Sequence, residues 1–418
     1  MQRFFWSCST LVVFLFLRSD VQAQQPLTWE QVRGRFAMSN PTLLAGQLNV
    51  RESKADEITA YLRPNPNLTV TADQIDPFPG GPAHGPFAYF LPLASVSYLH
   101  EREDKRALRL ESAEKATAIA TSGQADLERT LLFDLRSAFV LTLEAKAVLD
   151  VARQNLAYYD KVLQVSGERF RAGDIAQIDY DRLELQRVQY ESDLQTAEVN
   201  LRTAKIQLLT LLNDRTPVDQ FDITGPFEFS EALPTLDEIR NTALDARPDL
   251  RAAMQAVDKA QTDHKLAMSN GSTDPTFGFD FGRNPPIDAY FGVSVNIPLR
   301  IFDKNQGEKL RTQLDIERNQ RLRDAAQAQV FSDVDSAFAT LNSNLTLLRP
   351  YKAKYLQQAV RVRDTISFSY QNGGASLLDF LNAENEYRTV QLSYVNLIGS
   401  YLAAASQLNF AVGREVIP

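Results

Sequence analysis

Cysteine is all but missing from this 418-residue sequence, where the only one is Cys8. No disulfide framework can form, and no cysteine metal site or nucleophile is available past the first few residues. Histidine is nearly as scarce, and His84, His100 and His264 stand far apart. Glycine, at 18, and proline, at 19, are low for the length, which disfavours a turn-rich all-β protein. An excess of basic residues is also lacking. The 44 Lys and Arg stand against 52 Asp and Glu, a formal charge of -8. Non-specific nucleic-acid binding needs a basic footprint, so no nucleic acid is expected as a partner. No nucleophile elbow, phosphate-binding glycine loop or metal-ligand cluster is found. Gly80-Gly81 lies in a proline-rich loop without the strand and helix a phosphate site needs. Neither an enzyme nor a metal or other cofactor is expected. What remains, 44% hydrophobic and 23% charged, is a folded chain long enough for two or three units.

Residues 1–23 read as a secretory signal. Arg3 supplies the positive start, Leu11–Leu17 the short apolar run, and Val21-Gln-Ala23 a small-residue cleavage pattern. The run is too short to span a membrane, and no later segment offers the roughly 20 apolar residues a spanning helix needs. Cys8 precedes the apolar run, so no lipid anchor is expected on it. Export without a helical anchor leaves a secreted protein, a periplasmic protein or an outer-membrane β-barrel.

The chain repeats itself at a spacing of about 200 residues. Phe170-Arg-Ala-Gly173 and Asp179 match Tyr370-Gln-Asn-Gly373 and Asp379. Glu184 matches Glu384, Ala204 matches Ala404, and Leu208 matches Leu408. Asp134–Phe139 matches Asp333–Phe338, and Asn40-Pro41 matches Arg247-Pro248. Four blocks in the same order make chance similarity between helices a poor explanation. The expected division is a signal over 1–23, a first repeat over 24–225 and a second over 226–418. Each repeat has a short helix, a second helix opened by proline, two strands, a very long helix, a glycine turn and a returning helix.

Residues 93–216 contain no proline and only Gly123, Gly167 and Gly173. The segment 102–166 is rich in strong helix formers and would span roughly 97 Å as one helix. Its apolar positions, from Leu127 and Leu131 to Ala145 and Leu149, form a narrow stripe suited to side-by-side packing in a coiled-coil-like array. The second long stretch, 303–368, contains Pro350, where a kink or break is expected. The strand segments alternate instead. Strands are expected over about 67–75, 88–99, 275–283 and 289–298, most plainly in Phe277-Gly-Phe-Asp-Phe281. They suit two half-buried hairpins of a soluble domain or four membrane-spanning strands. In the second case one chain cannot close a barrel, because open edges are not tolerated in lipid and known single-chain barrels need about eight strands. Three chains would supply twelve.

On these residues the sequence resembles the outer membrane efflux protein family, the TolC-like channel-tunnels. The resemblance rests on the duplicated plan, on Arg171-Ala-Gly173 with Asp179, on Asn372-Gly373 with Asp379, and on the ends Leu211-Leu-Asn213 and Phe410–Gly413. It implies a mainly α fold in which duplicated helical hairpins form a trimeric α-barrel tunnel, with four strands per chain in a shared 12-stranded outer-membrane β-barrel. It also implies a homotrimer set in outer-membrane lipid, with its long tunnel in the periplasm. A periplasmic adaptor and an inner-membrane efflux transporter would dock on it. The family's helix tips form the closed entrance and the docking surface, here about 166–184 and 366–384, including Arg171, Gly173, Gly373 and Gly374. Tyr370 stands where the family has a tyrosine that locks the entrance, Asp179 where that tyrosine has its carboxylate partner, and Asp379 where an acid lines the constriction. Asn382 replaces a second acid, and Ala375 replaces an arginine. Capping of the returning helices is the alternative role for Asp179 and Asp379, and chain reversal for the glycines.

The function implied is a passive exit duct of a tripartite efflux pump. Glu168–Ala176 leans toward the heavy-metal cation type, with drug efflux and type I protein secretion as alternatives. A periplasmic coiled-coil adaptor would share the signal and the hairpins but would need a compact β-rich module. For an enzyme, Glu184 and Glu384 correspond through the repeat and not through a reaction geometry.

Overall fold

The computed structural model describes residues 25–75, 90–284 and 286–417. The secretory signal expected over 1–23 lies outside these residues, as does the proline- and glycine-rich loop of 77–86.

Local chemistry sets the same start signals in both halves. Helix Trp29–Ser39 (α1) opens where the Thr28 N–H donates to the Gln31 side chain at 3.0 Å. Leu236–Ala246 (α5) opens on a capping box of Thr235 and Glu238. Proline takes the first position of Pro41–Tyr61 (α2) and of Pro248–Ser269 (α6), where its missing N–H is no loss. The residue before each proline fastens the helix to the distant end of its half. Asn40 donates from Nδ2 to the Leu211 carbonyl at 2.9 Å, and Arg247 from Nη1 to the Ala411 carbonyl at 3.2 Å. Arg247 is buried and also pairs with Asp249 and Asp333.

The first long helix, Lys105–Ala172 (α3), has 68 residues and runs about 100 Å. It continues past the expected end at 166, because Gly167 lies within the helix under the ring of Tyr180 and the reversal comes only at Gly173. Gln177–Leu211 (α4) returns from it. In the second half the stretch expected over 303–368 is divided at Pro350, the site of the expected kink or break. Gln306–Pro350 (α7) passes through a π-helical turn at Tyr351–Tyr355 into Leu356–Gln371 (α8), and Leu377–Val412 (α9) returns. Pro350 has no N–H to give, and the hydrogen-bond ladder widens directly after it. Left-handed Asp104 and Asn305 (φ 53 and 61) stand just before the two long helices, residue types that tolerate this region. Four columns result. α3 packs against α2 and α4 and also against α6 and α9, and α7 packs against α6 and α9.

The core sits in separate layers along these columns. Val32 and Phe36 of α1 pack with Leu135, Phe139 and Leu208, while Ile239 and Ala243 of α5 pack with Val334, Leu341 and Leu408. A third cluster near the reversals holds Tyr159, Leu183, Tyr190, Tyr370 and Phe380.

At the other end, strands Asn67–Asp73 (β1), Leu91–Leu99 (β2), Thr276–Asn284 (β3) and Ile287–Asn296 (β4) form one antiparallel sheet in that order. β2 begins at Leu91 and not at the expected 88: Phe90 is outside the strand, and residues 88 and 89 lie outside the described chain. β4 stops at Asn296, two residues before the expected 298, where Pro298 could not donate to a ladder. Register separates the two faces. Val70, Ala94, Phe281 and Phe291 are successive partners, as are Leu68, Val96, Phe279 and Val293. Thr69, Ser95, Asp280 and Gly292 line up on the opposite face. The apolar face lies open, with Phe291 72% and Val293 86% exposed. On the polar face the sheet is drawn so tight that a Cβ on Gly278 would meet Ser294 Oγ at 2.3 Å.

Candidate functional site at the helix reversals

Two reversals stand 200 residues apart with one geometry. After α3, Gly173 (φ 84) donates to the Phe170 carbonyl, and Asp174 donates to that of Arg169. After α8, Gly373 (φ 76) donates to the Tyr370 carbonyl, and Gly374 donates to that of Ser369. Such pairs satisfy the last carbonyls of a helix and need a residue that accepts positive φ. Gly373, Gly374 and Arg171 are all exposed at the tips.

The returning helices start differently. Ser376 accepts from the Asp379 N–H at 3.1 Å, and the Asp379 carboxylate accepts from the Ser376 N–H and hydroxyl at 3.2 and 2.7 Å. Those hydrogen bonds hold the Asp379 carboxyl below its ordinary range, so this acid caps α9. At the matching place in the first half, Ala176 has no hydroxyl to offer. The Asp179 side chain makes no hydrogen bond among the described residues, and it is half-buried beside the second tip.

Tyr370 connects the two tips. It is 7% exposed and stacks on Phe380 at 4.9 Å. Arg169 of α3 lies 5.7 Å from its ring centre and donates to its carbonyl at 3.2 Å. Burial pushes the phenol above its ordinary pKa, Arg169 opposes the shift, and the Asp179 charge adds to it. The hydroxyl reaches no partner with hydrogen-bond geometry among the described residues, although Ser166 lies close enough to favour its ionised form. Tyr370 and Asp179 are therefore brought together as ring and charge, without a hydrogen bond within the chain. Asn382 is not part of this group. It is exposed in a shallow depression between α4 and α9, with Gln189, Ser192 and Arg388.

Sequence reasoning passed over three members of the tip cluster. Arg169 and Phe380 flank Tyr370, and Glu384 is buried a turn beyond Phe380. The available signal was spacing. Leu377, Phe380 and Glu384 fall at i, i+3 and i+7, which sets a carboxyl on the apolar stripe of α9. Exposed apolar side chains crown both tips at matching places, Ile178 and Leu378.

A four-stranded sheet with an open apolar face, carried on helical columns that reverse at two glycine turns, is the fold shared with solved outer-membrane channels of the TolC type. Residues 239–414 are an outer membrane efflux protein domain, and the chain is homologous to channels of that family. It is 22% identical to the cobalt-zinc-cadmium resistance protein CzcC of Cupriavidus metallidurans, over 94% of this chain and 91% of that protein. It is 23% identical to the outer membrane protein TolC of Escherichia coli, over 92% of this chain and 81% of that protein. A crystal structure of CusC superposes with a TM-score of 0.77 at 15% identity, over 92% of each chain. Among the described residues, no helix is long and apolar enough to cross a membrane.

Gly173→Ala is expected to destabilise the full chain by about 1 kcal/mol through strain at positive φ, because an added Cβ would meet no atom within 4 Å. Thermal unfolding followed by helix signal measures it. An unchanged midpoint would show that the turn relaxes freely.

Proposed function

We propose that the chain is one subunit of a homotrimeric outer-membrane exit duct of a tripartite efflux pump. Substrate passes through it passively, from an inner-membrane transporter and a periplasmic adaptor to the exterior, and the chain itself performs no chemistry. The observation that carries this reading is the four-stranded sheet, with its apolar face open and the outer edges of β1 and β4 unpaired among the described residues. In lipid such edges must be paired, and three copies joined β4 to β1 would close twelve strands. The helical columns would then ring a periplasmic tunnel whose closed entrance lies at the Gly173 and Gly373 reversals. Residues 24–225 and 226–418 would be its two efflux-protein repeats. Ile178 and Leu378, with Arg171, Gly173, Gly373 and Gly374, would meet the adaptor. Asp179 and Asp379 would make the entrance favour cations.

Similarity to a cobalt-zinc-cadmium resistance protein supports a divalent heavy-metal cation as cargo. Deleting the gene should then raise sensitivity of its host to zinc, cobalt or cadmium. Sensitivity to organic drugs alone would move the cargo to the drug class.

Light scattering on the detergent-extracted protein from an outer-membrane fraction is expected to give three chains per particle. A monomer soluble without detergent would favour a periplasmic interaction protein instead. For the entrance, Tyr370→Phe removes a hydroxyl that has no hydrogen-bond partner among the described residues, so packing should survive. If that hydroxyl locks the assembled entrance, single-channel conductance in planar bilayers rises. Unchanged conductance assigns Tyr370 to packing.

A further inference from the structure

One carboxyl near the tips is buried with an oxygen that has no hydrogen-bond partner among the described residues. Glu384 of α9 is 4% exposed, and its Oε1 is fully enclosed without a hydrogen bond. Its surroundings come from every helix of the tip. From α3, Tyr158 and Tyr159 face it. The Tyr158 hydroxyl is engaged with Ser367 of α8 at 3.3 Å and also lies within reach of the Glu384 carboxyl, leaving Oε1 unsatisfied. The Tyr159 hydroxyl donates to the Leu183 carbonyl. From α4 comes Tyr190, stacked on Tyr159 at 4.6 Å. From α8 come Arg363 and Asp364, and Tyr370 lies in the same cluster. Arg363 is already committed, since it pairs with Asp364 at 2.7 Å and lies over the rings of Tyr158 and Tyr387. On α9 itself, Arg388 is bound to Asp193 of α4 at 2.5 Å. The neighbours of the carboxyl are thus phenols and one neutralised guanidinium, a setting that suits a neutral acid and penalises a carboxylate.

The same cluster holds the two hairpins together. Tyr158 reaches Ser367, Arg169 reaches the Tyr370 carbonyl, and Arg388 reaches Asp193, so each contact joins the first hairpin to the second. A charge appearing at Glu384 would act on the surface that must part if the second hairpin moves from the first.

We propose that Glu384 is a positioning residue of the entrance: its neutral carboxyl lets α8 and α9 pack onto α3 and α4, and its ionisation releases that hairpin. The inference rests on the reading of the chain as a duct with its entrance at these tips. Burial lifts the Glu384 carboxyl from an ordinary 4.5 to about 7, with Arg363 and Tyr158 opposing and Asp364 reinforcing. The packed tip binds the proton more tightly than the released tip. Packing is therefore fully favoured below the ordinary carboxylate range and weakens as pH rises through about 7. For one titrating group the ratio of packed to released tips changes by at most about tenfold per pH unit.

The test compares full-length wild type, Glu384→Gln and Glu384→Asp in planar bilayers from about pH 5.5 to about pH 8.5. Hydrogen-exchange protection over residues 356–384 is followed in detergent across the same range, corrected for intrinsic exchange. Wild type is expected to gain conductance and lose tip protection with a midpoint near neutral pH. Glu384→Gln, fixed in the neutral form, should stay protected and at the acidic-side conductance throughout, while Glu384→Asp should keep a pH-dependent step. A Gln variant with the same pH dependence as wild type overturns the proposal and leaves the duct reading standing. If no protein conducts, the duct reading fails, and the exchange data alone still decide whether Glu384 controls hairpin packing.

Discussion

A four-stranded sheet leaves two rows of backbone N–H and C=O groups without partners among the described residues, and the rest of this structure is arranged around that fact. β1 and β4 stand at the outer edges of the sheet, and register places Phe279, Phe281, Phe291 and Val293 on one open face. A surface of this kind cannot be covered by the helices of the same chain, because all of them leave from one end of the sheet. The open face calls for an apolar solvent, and the open edges call for further strands. Between the proposed barrel and the proposed entrance the chain needs only length, which helices of about 100 Å supply.

Length creates its own difficulty, since two short helices must run beside one long helix without leaving an unsatisfied joint. The first half solves this at Asn40, whose amide caps Leu43 on one side and reaches the Leu211 carbonyl on the other. Arg247 does the same in the second half by a different chemistry, using a buried guanidinium held by Asp249 and Asp333. A buried guanidinium is tolerable only because both carboxylates and the Ala411 carbonyl surround it. Equivalent positions thus keep one task while their side chains differ.

The tips show the opposite relation, where equivalent residues take different tasks. Asp379 is occupied by the Ser376 cap, whereas Asp179 follows Ala176 and is left free to face Tyr370. Of the two roles open to these acids from sequence, capping is realised for Asp379 and unavailable in the same form to Asp179. Asymmetry between the hairpins continues at Pro350, where the second long column carries a π-helical turn that the first lacks. Uneven columns give the second hairpin a joint of its own.

The sequence by itself determined what depends on neighbours along the chain. Proline-free runs of strong helix formers made the long columns, Gly173 and Gly373 placed the reversals, and the alternation in Phe277–Phe281 separated the faces of β3. Each of these follows from backbone preference within a few residues. The helix end near Gly167 was less legible, because the ring of Tyr180 acts across turns, whereas the break expected at Pro350 takes the form of a π-helical turn. Only the tertiary structure decided which polar groups lose their water. Glu384 and Tyr370 belong to an ordinary amphipathic pattern until α3, α4, α8 and α9 close around them. Burial is a property of the assembled helices and not of any one segment, and burial turns a carboxyl on a helix stripe into a group with a pKa near 7.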